Sequence, residues 1–263
     1  MRAHAWLAPL GLVAAVALVA AACQTVPYTG RSQLQLLSPA QEDQMGVQAY
    51  QQILGKARLS TDATLNAMVT RVGSRIAAAT GHPEYQWESR LIVDDAQANA
   101  FALPGGKVAV YTGILPITRD EAGLAAVLGH EIGHVIARHG GERVSQQLLV
   151  NVGLEATMAG LSRGNPAMVQ QVGSLLGAGA AVGVLLPWSR TQESEADHLG
   201  LILMAKAGYD PHAALDLWKR MAEHAKRSGR PPEFLSTHPA EATRVQQIQG
   251  WMPEAMRYYK PAQ

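Results

Sequence analysis

The chain has 263 residues, 48% of them hydrophobic and 16% charged, with 22 Lys and Arg against 21 Asp and Glu. That length and apolar content support one substantial core, and the even charge balance excludes a disordered acidic chain and a basic nucleic-acid reader. A single cysteine excludes a disulfide framework and any thiolate zinc cluster.

Residues 1–22 carry Arg2 and His4, then an uncharged run from Ala5 that closes on Ala20-Ala21-Ala22 before Cys23. A short basic start, an apolar middle and small exit residues make a secretory signal. The only cysteine stands where a bacterial lipoprotein signal carries its acylated residue. The expectation is a lipoprotein signal peptide over 1–22, lipidation at Cys23, and an outer-membrane lipoprotein facing the periplasm, because Gln24 rather than Asp follows the cysteine. A plain cleaved signal and a retained anchor are the alternatives.

Residues 23–37, with Pro27, Gly30 and scattered polar side chains, read as a lipidated tether, and 38–263 as the folded domain. Ser38-Pro39-Ala40-Gln41 has an N-cap serine, a first-turn proline and a capping-box glutamine, predicting a helix to Leu54 that Gly55 ends. Leu65, Met68, Val69, Val72 and Ile76 recur at helical spacing before Gly81. Trp87–Val93 and Lys107–Tyr111 read as short strands, and Asn99–Gly106 as a strand leading into a turn. Beyond Thr118 nearly everything reads as helix, so the fold class is α+β, predominantly helical. Pro166–Trp188 is uncharged and rich in Gly and Ala. It reads as a buried helix or helical flap, with a membrane-dipping segment as the alternative.

The chemistry concentrates in a helix that Thr118 or Asp120 opens and Gly140-Gly141 closes, carrying His130-Glu131-Ile132-Gly133-His134. Two histidines four apart lie on one helix face and can reach a single zinc ion. Glu131, beside that face, can take a proton from the attacking water without binding the metal. Two histidines and a glutamate in an otherwise aliphatic helix would be costly to bury without partners. The extended HExxHxxGxxH pattern is absent, since Ala137 and Gly140 stand where it needs Gly and His. His139 is one residue early for it and reads as a cap on the helix C-terminus. A carboxylate is then the remaining third ligand. Glu193 and Asp197, four apart in Thr191-Gln192-Glu193-Ser194-Glu195-Ala196-Asp197, can share the work, one on the metal and the other holding a ligand imidazole by its outer nitrogen.

HEIGH followed by Glu193-Ser194-Glu195-Ala196-Asp197 resembles the zinc metalloendopeptidases of the HtpX, Oma and CaaX-prenyl-protease type, with their HExxH and ExxAD signatures. The likeness extends through Thr29–Leu34, Asn99–Ala102 with Pro104-Gly105-Gly106, Val110–Gly113, and Ser236-Thr237-His238-Pro239 with Arg244. It implies a zincin-like metallopeptidase domain, a small sheet beside the active-site helix, and one Zn2+ per chain. His130, His134 and Glu193 are its implied ligands, Glu131 the base and Asp197 the outer carboxylate. His238, before Pro239, reads as a helix N-cap; its imidazole can serve as a plain cap, bind the tetrahedral oxyanion, or coordinate zinc and close the site. The resulting expectation is a zinc metalloendopeptidase acting on unfolded or misassembled envelope and outer-membrane proteins, with outer-membrane assembly machinery as a further partner and no nucleic acid. The alternative is a lipoprotein chaperone or assembly factor with a latent or structural zinc site. A serine hydrolase is excluded by the lack of G-x-S-x-G.

Overall fold

A computed structural model describes residues 23–161, 189–229, 231–238 and 242–261. The signal segment 1–22, the uncharged stretch 166–188 and Pro239 lie outside the described residues. The chain divides into two compact units, one of Met1–Ser38 with Gly141–Gly183 and one of Pro39–Gly140 with Val184–Gln263.

In the first unit, β1 (Cys23–Thr25) and β2 (Ser32–Leu34) pair antiparallel, with Cys23 opposite Leu34 and exposed. The expected tether is therefore a hairpin. Tyr28 and Gly30 adopt left-handed conformations in its turn. Arg31 grips Glu142 with two bonds of 2.6 and 2.8 Å, and Ser145 Oγ accepts from Leu36 N–H at 2.8 Å. Those two partners belong to the helix His139–Leu161, whose first two residues fall in the second unit.

The second unit opens with α1 (Pro39–Leu54) and α2 (Ala63–Thr80), both close to expectation; Gly81, at φ 74°, ends α2. A three-stranded sheet follows, β3 (Glu88–Ile92), β4 (Ala100–Leu103) and β5 (Lys107–Tyr111), in the order β3-β5-β4. β5 runs parallel to β3 and antiparallel to β4, so β4 is an edge strand. Tyr50 ties α1 to the sheet by donating to the Val108 carbonyl at 2.9 Å. After a 3-10 turn and α3 (Leu115–Thr118), Asp120 caps α4 (Glu121–Ile136) by accepting from Gly123 N–H at 2.8 Å. The remaining helices are α5 (His139–Leu161), α6 (Arg190–Lys206), α7 (His212–Ser228), α8 (Glu233–Thr237) and α9 (Ala242–Ala255). Among the described residues no helix is long and apolar enough to cross a membrane.

α4 is the centre of this unit. Every residue from Gly123 to Ile136 is buried, as expected of a helix that is apolar on all sides. Leu124, Leu128 and Ile132 are fully enclosed, each contributing about 1.5–3 kcal/mol by leaving water. α6 crosses α4 through glycine. A Cβ on Gly129 would lie 2.8 Å from the Gly200 carbonyl oxygen, and one on Gly133 would lie 2.9 Å from that of Ala196. The two backbones thus touch, which brings the polar side chains of both helices into one buried space.

The end of α4 departs from expectation. The helix stops at Ile136 with Ala137 as its cap, rather than at Gly140-Gly141. Arg138 takes a left-handed φ of 57°, and its guanidinium is held by Glu42 of α1 at 2.6 and 3.2 Å. The chain turns there, and His139 becomes the first residue of the next helix instead of a cap on α4.

Candidate metal centre

His130 and His134 sit one turn apart on α4, with their Nε2 atoms 3.1 Å from each other. From α6, Glu193 Oε1 lies 3.3 Å from His134 Nε2, and Glu193 Oε2 lies 3.5 Å from His130 Nε2. His238 Nδ1 completes the group, 3.1 Å from His130 Nε2 and 2.9 Å from Glu193 Oε1. One donor atom from each of the four residues falls within 4.8 Å of the others, and all four side chains are buried. These residues could hold a metal ion.

The donor chemistry fits a borderline cation. Asp197 Oδ1 lies 2.9 Å from His130 Nδ1, so the ring hydrogen sits on that outer nitrogen and the Nε2 lone pair faces inward. Acceptors crowded at about 3 Å repel one another, and a central cation converts that repulsion into coordination; imidazole and carboxylate together suit zinc.

The carboxylates are held from outside the cluster. Arg244 of α9 bonds both oxygens of Asp197 at 2.7 Å and lies 2.7 Å from Glu193 Oε2. Its guanidinium also lies 4.0 Å over the Trp218 ring. Burial alone would push both carboxyls up, but His130, His134 and His238 hold Glu193 below the usual range, and Arg244 with His130 does the same for Asp197. Glu131 behaves oppositely: burial dominates and raises its pKa. His134 is pulled well below an ordinary imidazole, also by burial. One Glu131 contact is the backbone N–H of Ala102 on the edge strand. Its Oε1 is buried without a hydrogen-bond partner, 3.2 Å from His238 Nε2.

All six residues expected at the site therefore lie together: His130, Glu131, His134, Glu193, Asp197 and His238. Pro239, on which the expected N-cap role of His238 turns, lies outside the described residues. His238 closes α8, its backbone N–H donating to Phe234 O at 2.9 Å. Phe234 stacks on its ring at 4.5 Å. Sequence reasoning missed His139 and Glu195. His139 Nδ1 lies 2.9 Å from His134 Nδ1, and His139 Nε2 lies 3.1 Å from Glu195 Oε2. A histidine and a glutamate near a metal motif were visible; what joins them is the turn at Arg138, which has no local signal.

Residues 63–252 match the model of peptidase family M48. The chain belongs to that family. It is 39% identical over 235 residues to the mitochondrial metalloendopeptidase OMA1 of Schizosaccharomyces pombe, covering 88% of this chain and 66% of that protein. It is 36% identical to the OMA1 protein of Saccharomyces cerevisiae, covering 66% of this chain and 50% of that one. The β-barrel assembly-enhancing protease of Escherichia coli is 31% identical over 226 residues, 84% of this chain and 46% of its own length. The chain thus spans between about half and two thirds of these relatives.

Proposed function

We propose that this chain is a zinc metalloendopeptidase that hydrolyses peptide bonds in unfolded or misassembled envelope proteins. The observation that carries the reading is the convergence of His130, His134 and Glu193 beside the buried carboxylate of Glu131. When bound, zinc supplies Lewis acidity, polarising the scissile carbonyl and acidifying the attacking water. Glu131 takes the water proton at Oε1 and passes it to the leaving amide nitrogen, so the water oxygen ends on the acyl carbon and both hydrogens on the new termini. A glutamate whose pKa is raised by burial is a better matched base near neutral pH than an ordinary one. Asp197 and Arg244 hold His130 and Glu193 in place. The edge strand β4 is suited to pairing with an extended substrate through main-chain bonds, which favours unfolded chains over any particular sequence.

The compartment rests on residues 1–23 and on one relative. OMA1 names are mitochondrial, whereas the E. coli relative is named for β-barrel assembly. The basic start, apolar run and small residues before Cys23 favour a lipid-anchored periplasmic location, with the outer-membrane assembly machinery as a partner.

A specific observation supports a second reading. His238 Nδ1 lies as close to the other donors as they do to each other, and four protein ligands make a closed site. In that arrangement the enzyme is latent, or the protein acts as an assembly factor with structural zinc, until His238 withdraws. The deciding experiment is cleavage of an unfolded protein by wild type, Glu131→Gln and His238→Ala at matched zinc content. Cleavage by wild type and none by Glu131→Gln supports the enzyme. Cleavage only by His238→Ala supports latency, and none by any of them with zinc bound overturns the enzyme reading.

A further inference from the structure

Neither His139 nor Glu195 supplies an atom to the converging cluster, and the mechanism above uses neither. Both are buried, His139 completely. An ionised carboxylate only accepts hydrogen bonds, so the hydrogen on His139 Nε2 points at Glu195. A neutral imidazole has one ring hydrogen, which makes His139 Nδ1 an acceptor. His134 Nδ1, facing it at 2.9 Å, must then be the donor. The single hydrogen of His134 is thereby placed on its outer nitrogen, leaving the Nε2 lone pair turned toward His130 Nε2 and Glu193 Oε1.

From this geometry we propose that His139 and Glu195 are positioning residues that set the tautomer and ring orientation of His134 for metal binding. This rests on the reading of the centre as a zinc site. His130 has the shorter version of the same device, a direct bond to Asp197. Glu195 is two residues from both Glu193 and Asp197, off the helix face they share, and His139 spans the interval to His134.

The test is the zinc affinity of the full chain, by competition with a chromogenic chelator, for wild type, His139→Asn, His139→Leu and Glu195→Leu. Asparagine keeps an acceptor oxygen near the place of Nδ1, whereas leucine fills the volume and accepts nothing. His139→Leu should weaken zinc binding about 10–100-fold, Glu195→Leu by less, and His139→Asn by no more than roughly threefold, the range expected for partners of metal-bound imidazoles. Long-range nitrogen–proton NMR on the zinc-free wild type should place the His134 hydrogen on Nδ1. Wild-type affinity in His139→Leu, an equal loss in His139→Asn and His139→Leu, or the hydrogen on His134 Nε2 would each overturn the proposal. If His139→Leu fails to fold, His139→Asn and the NMR assignment still decide. A wild-type chain that binds no zinc overturns the metal reading as well, whereas one that binds it no better than His139→Leu overturns only the role of His139.

Discussion

The contact between α4 and α6 makes a sharp prediction at Gly200. A methyl group there would lie 2.8 Å from His130 N, 2.9 Å from Gly129 C and 3.1 Å from Gly129 O. Comfortable contacts begin near 3.5 Å between heavy atoms, so in Gly200→Ala the helices must part by about half an ångström. Overpacking of this kind costs about 1–3 kcal/mol. Against it stands a gain of about 1 kcal/mol in helix propensity when an interior glycine becomes alanine. The control is Gly250→Ala in α9, where an added Cβ meets nothing within 4 Å and only the propensity gain remains. Gly200→Ala should therefore lose about 0–2 kcal/mol net, a fall of up to roughly 8 °C in Tm for a domain of this size, while Gly250→Ala rises by about 2–4 °C. Metal–donor distances tolerate only about 0.2 Å. Because α4 carries the two histidines and α6 carries Glu193, Gly200→Ala should also weaken zinc binding, and Gly250→Ala should not. Calorimetry and chelator competition read both effects. A Gly200→Ala protein that is stabilised like Gly250→Ala, with unchanged zinc affinity, would refute the claim that backbone contact sets the site.

Two further outcomes follow from the buried charges. Arg244→Leu leaves Asp197 and Glu193 without their cationic partner in the interior and should cost about 3–5 kcal/mol, measurable by urea unfolding; a loss below 1 kcal/mol would show that the pair contributes little. Glu131 has a native pKa raised above 4.5 by burial, so the folded state holds its proton more tightly than the unfolded chain. Its contribution is favourable at pH below 4.5 and is lost as pH rises through the native value. In chelator-treated protein, Glu131→Gln should therefore gain stability over wild type as pH rises past that value, with little difference at pH 4; a difference independent of pH would contradict the assignment.

Much of this was legible locally. The extents of α1 and α2, the strand–turn–strand of β4 and β5, and the shared face of His130 and His134 all follow from periodicity and from turn residues within a few positions. The end of α4 was not, because Arg138 is held in its left-handed conformation by Glu42, 96 residues away in the chain. The short helix α8 that His238 closes was not legible either, because it spans only five residues, too few for a period to show. Arg244 was noticed only as part of a motif, since its partner Asp197 lies 47 residues upstream.

The sequence by itself determined which residues carry the chemistry, because the spacing that puts two histidines, or two carboxylates, on one helix face is a property of a single turn. Only the tertiary structure decided which of these groups meet. His130 and Asp197 are 67 residues apart, and they come within 2.9 Å because glycines let two helix backbones touch. A helix crossing of that kind depends on both surfaces at once, and no local pattern encodes it.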